Sequence, residues 1–138
     1  MILAETSAWV EFDRATGSIV DRRLASLIET DGPLAVTEPV EVLAGSRNDR
    51  HEADLRRLLL RFYLLGFDPA ADFDSAALIY RRCRGKGITP RGMIDCMIAA
   101  VAWRRGATLL AFDFDLDRVA RVVGIEIDRH PCALRRRP

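Results

Sequence analysis

Thr108-Leu109-Leu110-Ala111-Phe112-Asp113-Phe114-Asp115-Leu116-Asp117 begins apolar and ends in three acids spaced two residues apart. A short apolar run without polar alternation reads as a strand covered on both faces. The same pattern occurs twice upstream. Met1-Ile2-Leu3-Ala4 runs into Glu5-Thr6-Ser7, and Leu34-Ala35-Val36 runs into Thr37-Glu38-Pro39 and then Glu41. Gly124 to Ile127 reads as a last strand, and Tyr63 to Phe67 as an extended piece before Pro69.

Helical patterns fill the intervals. Ser18 is placed to cap a helix carrying Ile19, Val20, Leu24, Leu27 and Ile28, which Asp31-Gly32-Pro33 breaks. Pro39 suits the first turn of a further helix. Asn48 starts a long pattern with Leu55, Leu58, Leu59 and Phe62 on one face. Phe73, Ala76, Ala77 and Tyr80 share one side of the next helix, which ends at Gly85-Lys86-Gly87. Thr89-Pro90 supplies a cap and first position for a helix running to about Arg105, where Gly106 stops it, and Leu116 to Val123 is a short final helix. Strands separated by helices predict an α/β fold in three layers, α/β/α, around a central parallel β-sheet.

The 138 residues suit one domain, expected to span 1–138. Apolar residues make up 49% and charged ones 30%, ordinary for a globular protein, and there is no repeat or low-complexity stretch. Glu5 interrupts any secretory signal at once, and no window approaches the roughly 20 apolar residues that span a bilayer. Cys83, Cys96 and Cys132 are odd in number and widely spaced, which fits reduced thiols in a cytoplasmic protein. The net charge is only +1, so any nucleic acid must be met by local patches. Lys86 is the only lysine; it clusters with Arg81, Arg82, Arg84 and Arg91, and Arg135-Arg136-Arg137 form a second group. Either is a solvated face or a phosphate contact.

In parallel sheets ligands sit outside the carboxyl ends of the strands, where Glu5, Glu38 or Glu41, and Asp113 with Asp115 and Asp117 would converge. One strand-end acid commonly caps the next helix; three in one small sheet are harder to dismiss. Asp95 belongs with them. Ile94, Met97, Ile98 and Val101 recur at helical spacing, with alanines and Trp103 between, so the helix is expected to be buried nearly all round. An ionised carboxylate there needs a partner: an arginine, a hydrogen-bond donor or a metal. Clustered carboxylates raise one another's proton affinity. Mg²⁺ or Mn²⁺, hard cations that take oxygen ligands, would relieve that and activate a water for attack on phosphorus. Thr6 and Ser7 offer hydroxyls beside the site, or simple helix caps. His51 and His130 are isolated, and Gly-rich phosphate loops are missing, which leaves zinc, triad and P-loop chemistry without residues. Trp9, Phe12 and Trp103 lie in apolar runs and are expected in the core rather than stacked on bases.

Four stretches together resemble the PIN-domain family, and within it the VapC-type toxins of bacterial toxin–antitoxin pairs. They are Met1-Ile2-Leu3 with Thr6-Ser7-Ala8-Trp9, Glu41-Val42-Leu43-Ala44-Gly45, Ile94-Asp95-Cys96-Met97-Ile98-Ala99-Ala100, and Leu109-Leu110-Ala111-Phe112-Asp113-Phe114-Asp115. The resemblance implies that Glu41, Asp95 and Asp113 occupy acidic metal-site positions, with Asp115 and then Asp117 as further acids and Thr6 as the hydroxyl beside the first acid. It implies a Mg²⁺- or Mn²⁺-dependent endoribonuclease acting on transfer, ribosomal or messenger RNA. It also implies a homodimer and a small VapB-type antitoxin that inserts a segment into the active-site groove, forming a heterotetramer or larger complex. Two departures stand out. Glu5 occupies a position where the family has Asp, and the link from Val36 to Glu41 is about two residues short, which would turn Glu41 away and leave Glu38 to substitute. A PIN-like domain with weakened catalysis that binds RNA or antitoxin is the alternative. Asp113-Phe114-Asp115 also matches the Asp-x-Asp of haloacid-dehalogenase phosphatases, but that family carries the motif on its first strand.

Overall fold

A computed structural model describes residues 1–128; His130, Cys132 and the Arg135–Arg137 group lie outside the described residues. The elements are β1 (Ile2–Ala4), α1 (Thr6–Asp13), α2 (Ile19–Glu29), β2 (Leu34–Val36), α3 (Val40–Ala44), α4 (Asp49–Leu59), β3 (Tyr63–Leu64), α5 (Pro69–Gly85), α6 (Met93–Arg105), β4 (Thr108–Leu110) and α7 (Phe114–Val123). The sheet has the order β3-β2-β1-β4, and every pairing is parallel. Ile127 adds a single parallel bridge to Leu109, so the expected last strand is one bridge rather than a strand.

Alternation along the strands makes the layers. Leu3, Ala35 and Leu109 face a core filled by Ile79 and Cys83 of α5, Cys96 and Ala99 of α6 and Val119 of α7. Ile2, Ala4, Leu34, Val36 and Leu110 face the other way, onto Trp9, Leu24, Leu27, Leu55 and Leu59. Both faces are covered, as short apolar strands require.

Local signals set most helix ends. Ser18 Oγ accepts from the Asp21 amide, and Asn48 Oδ1 accepts from the His51 amide. Gly106 (φ +61°) and Gly124 (φ +77°) close α6 and α7 in the left-handed region.

The structure corrects several expectations. α1 forms directly after β1, where only caps were read. α6 starts at Met93 with extended Gly92 as its cap, not at Thr89-Pro90. Its first turn is open to solvent, with Met93 45% and Ile94 44% exposed, so burial is confined to Cys96 and the residues from Ile98 to Ala102. The buried face of α5 is Asp72, Ala76, Ile79 and Cys83, while Phe73 is exposed and packs edge-on against Phe67 at 4.9 Å. A carboxylate can lie on that face because Arg104 forks onto Asp72 at 2.9 and 2.8 Å, from 32 positions away in sequence. Trp9 is core, its indole N–H donating to the Ala4 carbonyl at 3.1 Å. Trp103 is not: it is 37% exposed, with the Arg82 guanidinium 5.6 Å from its ring centre.

Candidate functional site

Glu5 follows β1 directly and caps α1. Its Oε2 accepts from the Ser7 amide at 2.9 Å and from the Ser7 hydroxyl at 2.5 Å. The Ser7 hydroxyl in turn accepts from the Phe112 amide at 2.8 Å, and the Glu5 amide donates to the Leu110 carbonyl at 3.0 Å. The first acid is thereby fastened across the sheet to the end of β4.

Asp113 plays the same part for α7. Its Oδ1 accepts from the amides of Asp115 and Leu116 at 3.0 and 3.2 Å, which leaves Oδ2 facing outward to Arg91 at 2.7 Å. Arg91 Nε also reaches Asp115 at 2.6 Å. Both strand-end acids therefore cap helices, and the capping bonds are what fix their direction.

Asp95 enters from the first turn of α6 and Glu41 from α3. Glu5, Thr6, Ser7, Glu41, Arg91, Asp95 and Asp113 line one recess of about 550 Å³ at the carboxyl edge of the sheet. The short link before Glu41 does not remove it from the recess. Glu38 does not take its place: its carboxylate accepts from the Phe67 amide at 2.9 Å, tying the end of β2 to the segment after β3. Asp115 lines an adjoining recess with Arg91, Phe112, Asp113 and Phe114, and Asp117 lines a cleft with Ile19, Val20 and Ile127.

The electrostatics are lopsided. Burial pushes the Glu5 carboxyl up from 4.5 to about 7; the two Ser7 hydrogen bonds pull it back, and Asp95 and Asp113 add repulsion. Asp95 rises from 3.8 to about 6 through burial and the charges of Asp113, Glu41 and Asp115, against the pull of Arg91. Among the described residues no three acidic, His or Cys side chains converge tightly enough to hold a metal ion as they stand. Arg91, bridging Asp113 and Asp115, supplies positive charge instead. The donor set still suits a hard cation: carboxylates, two of which burial and neighbouring acids raise above the usual carboxylate range.

Ser7, read from sequence as a hydroxyl beside the site, is the residue that holds Glu5; Arg91 was missed, grouped with Arg81, Arg82, Arg84 and Lys86. Those four lie exposed on or just after α5, and none of them lines the acidic recess. The one available signal for Arg91 was its position four residues before Asp95.

The PIN-domain family model matches residues 2–122, from β1 through nearly all of α7 and across every acid in the recess. The chain belongs to the PIN-domain family. Two curated relatives, VapC ribonuclease Mb1587 of Mycobacterium bovis and ribonuclease VapC11 of Mycobacterium tuberculosis, are each 42% identical over 129 residues, covering 91% of this chain and 96% of theirs. Among solved structures, VapBC2 from Rickettsia felis bound to a promoter DNA fragment superposes with a TM-score of 0.71 at 19% identity, covering 93% of this chain and 98% of that one. FitAcB from Neisseria gonorrhoeae does so with 0.63 at 19%, covering 94% and 97%. These two establish a shared PIN-type three-layer architecture. Among the described residues no helix is long and apolar enough to cross a membrane.

Proposed function

We propose that this PIN-domain chain is a metal-dependent endoribonuclease toxin that cuts structured RNA and is neutralised by a VapB-type antitoxin. The observation that carries this reading is the gathering of Glu5, Glu41, Asp95 and Asp113 around one open recess at the sheet's carboxyl edge. The relatives named VapC ribonuclease support the activity, and the VapBC2 structure supports an antitoxin partner. A cytoplasmic homodimer that forms a heterotetramer or larger complex with its antitoxin completes the proposal.

Glu5, Asp95 and Asp113, with Asp115 beside them, would hold Mg²⁺ or Mn²⁺. Such an ion supplies an activated water and positive charge to offset the leaving oxygen. The chain's own contribution is positioning. Ser7 clamps Glu5, and the α7 amides clamp one oxygen of Asp113, leaving the other to Arg91 at the recess. Glu41 adds a further charge at the rim, and Thr6 lines the recess beside Glu5 with a hydroxyl for a carboxylate or a water.

Sequencing RNA ends from cells expressing the protein tests this reading. New ends should appear, and they should vanish with Asp95→Asn and on co-expression of the antitoxin. An absence of new ends would favour a domain that binds RNA or antitoxin without cutting.

A further inference from the structure

Phe112 is 57% exposed and Phe114 is 74% exposed, although Leu110 and Leu116 on either side are fully buried. Single exposed apolar residues are ordinary on protein surfaces. These two bracket Asp113, and both line a recess of about 280 Å³ together with Arg91, Asp113 and Asp115. The Arg118 guanidinium lies 6.0 Å from the centre of the Phe114 ring. Aromatic faces beside guanidinium groups provide what an unpaired nucleotide needs. The rings stack on its base, whatever its identity, and the guanidinium forks meet its phosphates.

We propose that Phe112 and Phe114 form a stacking platform for an unpaired base of the RNA, one that flanks the phosphate presented to Asp113. Arg91 and Arg118 meet the backbone of that nucleotide. The proposal rests on the nuclease reading and adds a selectivity to it. A base in a duplex already has both faces covered by its neighbours, so the platform directs cutting to loops and single-stranded ends. An apolar peptide could also cover the two rings. Arg91 pairs with Asp113 and Asp115, and Arg118 stands 3.9 Å from Asp115, yet each planar fork has more N–H donors than those contacts use, which favours a polyanion whose apolar surfaces are flat.

Fluorescence anisotropy of a short labelled RNA, titrated with the full-length protein in chelator so that nothing is cut, tests the platform directly. The Phe112→Leu/Phe114→Leu double variant keeps the apolar bulk and removes the aromatic faces. Its Kd for single-stranded RNA should rise by about tenfold or more, while its affinity for duplex RNA stays unchanged. Phe112→Tyr/Phe114→Tyr should bind like the unaltered protein, a readout that survives if the leucine variant folds poorly. Ultraviolet irradiation of the complex should place crosslinked nucleotides on the peptide containing the two rings. Equal single-strand affinity in the leucine variant would overturn the platform and leave the nuclease reading standing. So would a variant that binds RNA normally but loses the antitoxin, since that result assigns the rings to a protein partner. Failure of the unaltered protein to bind any RNA in chelator would overturn the platform; failure to bind it with Mn²⁺ present as well would remove the nuclease reading too.

Discussion

Glu5 is 3% exposed, its carboxylate clamped by Ser7, at a position where the resemblance to PIN domains implies aspartate. The extra methylene moves the carboxylate by on the order of an ångström, a displacement that can cost about 100-fold in rate. Aspartate is also a good helix cap, so shortening the side chain need not loosen α1. Glu5→Asp should therefore raise metal-dependent RNA cleavage, measured at fixed metal concentration; unchanged or lower activity would remove Glu5 from the catalytic set. The same residue gives a pH signature. In the unfolded chain Glu5 and Asp95 ionise at ordinary values of 4.5 and 3.8; in the folded chain they hold their protons to about 7 and about 6. The native state thus binds more protons across that window, and stability in chelator should fall as the pH rises from about 4 to about 7. Melting temperatures across that range check it. Glu5→Gln should flatten the upper part of the decline, and added Mn²⁺ should reverse it near neutral pH.

Among the elements, α5 and α6 depend on a pair that no local pattern announces. Asp72 is fully buried on α5, and Arg104, near the end of α6, forks onto it while also donating to the Gly66 carbonyl at 2.8 Å. Burial alone would raise the Asp72 carboxyl; Arg104 and the Asp68 amide more than offset it and hold it below its usual range. Arg104→Ala leaves that charge buried and unpaired, and should cost roughly 3 kcal/mol in a denaturant titration. The strand–helix order, the parallel sheet and the acids at its edge were legible from sequence because each rests on a local pattern: an apolar run, a cap, a glycine stop. The buried face of α5 was not, because a carboxylate joins it only through a partner 32 positions away. α1 was hidden by its eight-residue length and by Thr6-Ser7, which read as caps while Glu5 was the cap. The four acids in the recess could be named from the strand ends and from Asp95, and the Ser7 hydroxyl from its place two residues after Glu5, whereas the Arg91 bridge to Asp113 spans 22 positions and the exposure of the rings at 112 and 114 depends on how the whole fold packs.

For the molecule as a whole, a net charge of +1 means that RNA must be drawn by local groups. Arg82 covers Trp103, which lies about 12 Å along α6 from Asp95 at 1.5 Å per residue. Arg82→Ala should accordingly leave RNA cleavage unchanged, and a marked loss would show that the substrate extends along α6 to its far end. The edge that matters is the one where β1 and β4 deliver Glu5 and Asp113, with Asp95 and Glu41 arriving from α6 and α3. Its chemistry is tested most directly by the rate of RNA cleavage against Mn²⁺ concentration for the unaltered protein and for Asp95→Asn. Cleavage should be absent in chelator, should rise to saturation with Mn²⁺ in the unaltered protein, and should stay near background in the variant at every concentration. Cleavage that persists in chelator, or that survives in Asp95→Asn, would contradict the acidic recess as a metal-dependent active site.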